Sequence, residues 1–285
     1  MYRLRTLYLG AAASLVLGAS SFAMAAPANP FAAPSTLPLQ APPFDRIKDT
    51  DYEPAFEQAM KEHLTEVEAI ADSKSAPTFE NTIVALEKSG RMLERVSNAF
   101  FGVVQANTNP TLDKTRADTA PKLAEHRDAI FLNPRLFARV KAIYDKRDSL
   151  KLDPESAQLL KIYYLKFTHA GANLSDADKA KLREINKEDA SLETAFQQKL
   201  VAATKAGALV VDDKSQLAGL SDGEIAAAAK AAADRGLKGK FLIPLQNTTQ
   251  QPLLVSLSDR SVRERLFDNS WTRTEKGDAN DTRAD

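Results

Sequence analysis

Apolar residues recur every three or four positions along most of this chain, the spacing of helices that bury one side. From Pro77 to Val104, the residues Phe79, Ile83, Leu86, Leu93, Val96 and Phe100 fall on one side of a helix of period 3.6. Glu80, Lys88, Arg91 and Glu94 fall mostly on the other. Thr78 is placed to cap its start, and Pro77 keeps the preceding chain out of the helix. This amphipathic stretch is the expected organising element. Gly90 within it fits either a break or a close backbone contact. Ahead of it a helix is predicted over Tyr52–Ala71, with the stripe Tyr52, Phe56, Met60, Leu64, Val67 and Ile70 and a cap among Asp49, Thr50 and Asp51. The short turn 72–76 between the two predicts antiparallel neighbours.

Punctuation marks out the later elements. Asn109-Pro110 precedes a helix over Leu112–Phe131 that Pro121 is expected to kink or split. Asn133-Pro134 opens Arg135–Leu150, and Asp153-Pro154-Glu155 opens a helix to about Thr168, closed by Gly171. Ser175 with Asp178 resembles a capping box for a long helix whose stripe is Leu182, Ile185, Leu192, Phe196 and Leu200. After Ala203 the texture changes. Ala208–Val211 and Phe241–Leu245 are short strand-like runs that can pair into a ribbon, flanking an alanine-rich helix that Ser221 and Glu224 box and Gly236 stops. Pro252 then opens Leu253–Leu257, and Asp259 caps a helix to about Arg273. The pattern predicts a mainly α, multi-helix fold with a small two-strand element near residues 208–245. It divides into a leader (1–25), a Pro-rich extended arm (26–48), a helical lobe (49–203) and a mixed strand and helix segment (204–285).

Composition narrows the class. Basic and acidic residues number 38 each, so no net field invites nucleic acid. Cysteine is absent, which excludes disulfides, thiolate metal sites and cysteine catalysis. The leader has a basic start (Arg3, Arg5), an apolar run over Leu7–Leu17 and the small-residue pattern Ala23-Met24-Ala25. Cleavage after Ala25, a mature chain from Ala26 and a periplasmic or secreted location are the expectation, with no membrane association once the leader is removed. The mature net charge is then about −2. Ala26–Pro43 is too rich in proline for a regular element, yet Phe31, Leu37, Leu39 and Phe44 suit an arm packed over the domain.

Candidate chemistry is sparse. A zinc hydrolase helix carries His-Glu-x-x-His, which sets two imidazoles on one face with a carboxylate over the metal-bound water. This chain does not contain it. His63, His126 and His169 each stand alone on a different predicted helix. His63-x-x-Glu66 can place two ligands on one face, but a solvated helix face is the expectation. His126 reads as an exposed charged turn, and His169 as a helix C-terminal residue favoured by carbonyl dipoles. Arg260, Arg263 and Arg265, interleaved with Asp259, Glu264 and Asp268, read as a solvated face. Tyr163-Tyr164 and Phe100-Phe101 read as core. No nucleophile elbow, phosphate loop or dinucleotide fingerprint is present.

Several phrases, in order, carry a resemblance. They are Asn29-Pro30-Phe31, Ala41-Pro42-Pro43-Phe44-Asp45, Asp51-Tyr52-Glu53-Pro54-Ala55-Phe56, Pro77-Thr78-Phe79-Glu80-Asn81-Thr82 and Ala120-Pro121-Lys122-Leu123. Asn247-Thr248-Thr249-Gln250-Gln251-Pro252, Gly277-Asp278 and Asn280-Asp281-Thr282-Arg283 complete the set. Together they resemble the N-terminal part of the bacterial peptidyl-dipeptidases, within the thimet oligopeptidase-like zinc metallopeptidases. The Asn-Thr-Thr-Gln-Gln-Pro phrase favours this branch over the oligopeptidase A branch. The resemblance implies the N-terminal lobe of a neurolysin-like two-lobed enzyme, likewise mostly helical, with a narrow channel that admits short peptides. It implies zinc held by His-Glu-x-x-His and a later glutamate, and removal of dipeptides from free C-termini. Those motifs have no counterpart here, so no catalytic or metal residue is assigned to any position, and substrate-binding positions stay unassigned. The loop 277–282, rich in capping residues with no helix after it, fits a chain interrupted in mid-fold. The chain alone is expected to be inactive, to bind no zinc and to expose apolar surface, whereas the complete enzyme is expected to act as a monomer on short peptides. A non-catalytic helical peptide-binding protein and an oligopeptidase A-type fragment are the alternatives.

Overall fold

The computed structural model describes residues 29–284. Helix α1 spans Tyr52–Ala71, as its stripe predicts, and buries Tyr52, Phe56, Met60 and Val67. Leu64 and Ile70 lie only partly buried at its edge.

The organising stretch is not one helix. Thr78 caps a wide π-type turn, Phe79–Val84, with Thr78 and Asn81 exchanging side-chain and backbone hydrogen bonds. A single α-turn α2 (Ala85–Lys88) follows. Ser89 is then extended, and Gly90 takes the left-handed conformation (φ 71°) ahead of α3 (Arg91–Ala106). Gly90 is therefore both a break and a close contact, since a Cβ there would lie 2.8 Å from the His63 ring.

Helix α4 (Pro110–Phe131) runs unbroken through Pro121. The carbonyl that Pro121 leaves without its amide belongs to Ala117, which is exposed and open to water. Asn109 and Asn133 cap α4 and α5 (Pro134–Tyr144) through Oδ1. Helix α5 stops at Tyr144, short of Leu150, and a 3-10 turn at Arg147–Ser149 takes up the remainder. Asp153 caps α6 (Pro154–His169), and left-handed Gly171 ends it. Ser175 accepts from the amide of Asp178 at the start of α7 (Asp176–Ala206). Strands β1 (Leu209–Val211) and β2 (Phe241–Ile243) pair antiparallel, Leu209 opposite Ile243, around α8 (Asp222–Asp234) with its Ser221/Glu224 capping box. Helix α9 (Asn247–Ser256) begins six residues before Leu253, with Pro252 inside it, and α10 (Arg260–Trp271) closes the order.

Apolar packing falls into clusters. One joins α1, the π-type turn, α5 and α6 through Val67, Ile83, Leu136, Val140, Leu160 and Phe167. Another joins α1, α3 and α4, where Phe31 of the arm, Tyr52, Phe100 and Phe56 form a ring series with centroids 5.5, 5.1 and 5.3 Å apart. Arg95 fixes the arm by donating to the Phe31 carbonyl, while Leu39 and Phe44 stay exposed. A third packs the ribbon onto α9 and α10 through Leu209, Ile243, Leu253 and Leu266. Burying each of these large side chains is worth about 2–3 kcal/mol. Among charged groups, Arg139 on α5 is buried and donates to Ser73 O, Ser75 O, Asn81 Oδ1 and Thr82 Oγ1, tying the loop after α1 to the π-type turn.

The predicted stripe of α7 does not face a core. Ile185, Leu192 and Phe196 are exposed, and the opposite, more polar side packs on α4. The reason lies in α4, which offers polar partners there. Asn186 donates to both oxygens of buried Asp128, Lys187 pairs with Glu125, and Gln198 donates to Asp113 O.

Candidate functional site

Two of the three histidines meet. His126, expected in an exposed turn, is buried within α4, and its Nε2 lies 3.0 Å from His63 Nδ1. His63 Nε2 lies 3.1 Å from Ser89 Oγ. The Ser89 hydroxyl donates to Leu86 O at 2.7 Å, so its oxygen accepts from His63 Nε2–H. His63 Nδ1 must then accept from His126 Nε2–H. That leaves His126 Nδ1 buried and without a partner among the described residues. Both rings are neutral. Burial, opposed by nearby Glu66, holds His63 below its ordinary value. Burial, with repulsion from His63 whenever that ring is protonated coming second, brings His126 down to about 4. Glu66 itself accepts from the Gly90 amide at 2.7 Å, so the group staples α1, the break at Gly90 and α4.

The spacing of Ser89, His63 and His126 superficially matches a nucleophile, base and orienting group. Its proton direction is wrong for that chemistry, because the serine proton is directed to Leu86 O rather than to the imidazole. The network is a structural clamp. His169 sits exposed at the C-terminal end of α6, away from the pair, bordering a groove with Asp128 and Asn186. Burial raises the Asp128 carboxyl, an effect its Asn186 hydrogen bond opposes.

Zinc, which the resemblance implies, finds no fit here. Among the described residues no three potential His, Asp or Glu ligands come together. Both His63 nitrogens and His126 Nε2 are engaged within the pair and with Ser89, and Glu66 is turned to Gly90.

A different concavity lies between α9 and α10, with a volume of about 630 Å3. One wall is the start of α9, contributing Asn247, Gln250 and Gln251. The other carries Phe267 and Trp271, one helical turn apart on α10, stacked at 5.7 Å and 10°. These rings are 49% and 74% exposed, an unusual position for the largest apolar side chains. Gln250 is buried and its Oε1 accepts from Ser270 Oγ at 2.9 Å. Its NH2 has no hydrogen-bond partner among the described residues. Arg273 donates through Nη1 to Ser270 O, while its Nε is buried and unpaired.

Comparison with known proteins gives several relatives of this chain. Dipeptidyl carboxypeptidase of Escherichia coli (strain K12) is 51% identical over 256 residues, covering 90% of this chain and 38% of the relative. The chain is a relative of dipeptidyl carboxypeptidase. The Salmonella typhimurium dipeptidyl carboxypeptidase is 50% identical over the same length, whereas E. coli oligopeptidase A is 22% identical over 240 residues. The preference for the dipeptidase branch, read from Asn247–Pro252, agrees with that ordering. No protein-family model matches the chain. The chain spans 38% of the length of the dipeptidyl carboxypeptidases it matches.

The sequence reading did not find the histidine clamp or the α9–α10 cleft. His63 and His126 stand 63 positions apart on separate helices, and no local pattern links them. Asn247–Pro252 stands out in the sequence as a phrase, whereas its partners Phe267 and Trp271 read only as part of a helix. The signal cleavage position Ala25 lies outside the described residues. None of the described helices is long and apolar enough to cross a membrane.

Proposed function

We propose that this chain forms the N-terminal, non-catalytic part of the channel wall of a secreted zinc peptidyl-dipeptidase, a hydrolase that releases dipeptides from the C-termini of short peptides. The observation that carries this is the 51% identity to dipeptidyl carboxypeptidase across 90% of the chain. The zinc ligands and general base belong, on this reading, to sequence outside this chain. An exposed apolar face, formed by Ile185, Leu192 and Phe196 on α7, supports a role as one part of a larger body. The leader with Arg3, Arg5 and Ala25 supports export to the periplasm.

The test is a chimera. This chain, without its leader, replaces the matching segment of the E. coli enzyme, and dipeptide release from a blocked tripeptide is followed with zinc present. Dipeptide release by the chimera, with none by this chain alone, is expected. A folded, zinc-loaded chimera without dipeptide release would overturn the reading, and so would turnover by the isolated chain.

A further inference from the structure

We propose that the cleft between α9 and α10 holds a short peptide in extended form. Its backbone would pair with the carboxamides at the start of α9, and a flat apolar side chain would lie on Phe267 and Trp271. This rests on the peptidase reading for the source of the peptide, and on the cleft itself for the chemistry.

Three features lead to that occupant. A carboxamide offers a donor and an acceptor at the spacing of a peptide bond, and Asn247, Gln250 and Gln251 bring three of them to one wall. None of their NH2 groups has a hydrogen-bond partner among the described residues. Gln250 is the decisive one. It is 94% removed from solvent, and Ser270 occupies its Oε1, so its conformation is set while its NH2 is left for an incoming carbonyl. Opposite stand two large rings in offset stacking, exposed where a folded chain ordinarily buries them. An extended peptide meets both walls together, because successive side chains alternate and the backbone runs between them. The volume of about 630 Å3 suits a few residues rather than a folded partner. Arg273 and Glu275 both border the cleft, so the site carries no net charge to select an ionic ligand. That balance argues for backbone recognition over capture of a free carboxylate.

Trp271 is the one tryptophan of the chain, so its emission reports this site directly. The probe is acetyl-Ala-Ala-Phe-Ala-Ala-amide, blocked at both ends, titrated into the full chain, with the analogue carrying serine for phenylalanine as control. Saturable change in Trp271 emission with the phenylalanine peptide is expected, with affinity lower by about tenfold for the serine peptide. Phe267→Ala, at an exposed position that leaves the fold intact, should weaken binding by a similar factor. Gln250→Leu should weaken it with both peptides alike. Gln251→Ala, on the exposed side of the same wall, gives the same readout without a buried change. Absence of saturation with a folded chain, or affinity unchanged from the native chain in Phe267→Ala and Gln251→Ala, would overturn the proposal. The chimera separates the two readings. An active chimera whose KM is unmoved by Phe267→Ala sinks the cleft proposal alone, whereas peptide binding with an inactive chimera sinks the peptidase reading alone.

Discussion

Acidification from about pH 7.5 to about pH 5 should loosen this fold through His126, in a window set by burial rather than by surface charge. In the unfolded chain the ring takes up a proton near its ordinary value of 6.5, but in the folded chain only near about 4. Between those values the unfolded state binds more protons, so stability is full above pH 6.5 and declines as the pH falls towards 4. Taken in full the gap would be worth roughly 3 kcal/mol, and partial solvent screening of the ring reduces the loss by pH 5 to about 1–2 kcal/mol. His63, also held low by burial, acts in the same direction. Asp128, two residues along α4, has a raised carboxyl and the opposite sign, so its contribution is lost as pH rises through its folded value. A comparison with a variant cancels it. In His126→Gln the side-chain amide can still donate to His63 Nδ1 but does not titrate. Urea unfolding followed by circular dichroism, at constant ionic strength, should show the difference in stability between the two pH values shrinking by about 1–2 kcal/mol in the variant. An unchanged difference would refute the assignment of the neutral, buried pair.

Gly90→Ala should destabilise by about 2–3 kcal/mol, through left-handed strain and the clash with the His63 ring, whereas Gly102→Ala, with open space around it in α3, should stabilise by up to about 1 kcal/mol; the urea midpoints of the pair check both signs. Arg139→Leu should cost about 3 kcal/mol, because it removes the four hydrogen bonds that hold the loop after α1 to the π-type turn, and Arg139→Lys should recover little of it since an ammonium cannot span the four acceptors. Hydrogen exchange at residues 73–82 would rise in both variants, and unchanged protection there would contradict this account. Expression with the leader in a Gram-negative host should give a periplasmic product beginning at Ala26, read by mass spectrometry; retention of Arg3 and Arg5 on a cytoplasmic product would contradict the export reading.

What could be read from the sequence was what neighbours in sequence decide. Asn109, Asn133, Asp153, Ser175 and Ser221 cap helices because their side chains reach amides two or three residues on, and a proline or acidic residue beside them advertises it. The ribbon followed from β-branched runs bounded by turns. The break at Gly90 depended on something distant, namely the His63 ring and the Glu66 carboxylate waiting across the groove. Helix α7 shows the sharper failure. Its apolar stripe predicted a buried face, but α4 presents Asp128 and Glu125, and the polar side of α7 satisfies them instead. His126 was hidden by its charged neighbours Glu125, Arg127 and Asp128, a run that reads as a solvated face although His126 and Asp128 both turn inward. The cleft needed α9 and α10 to be brought together, which no spacing in the sequence announces.

The ribbon has a hazard built into it. With only two strands, β2 has β1 on one side and no strand on the other, and such a margin is an invitation for identical chains to stack. The residues bracketing β2 answer this. Lys240 stands just before it, held to Asp212 at 2.8 Å, and Pro244, which has no amide to donate, stands just after. A charge at one end and a missing donor at the other make β2 a poor template for a third strand.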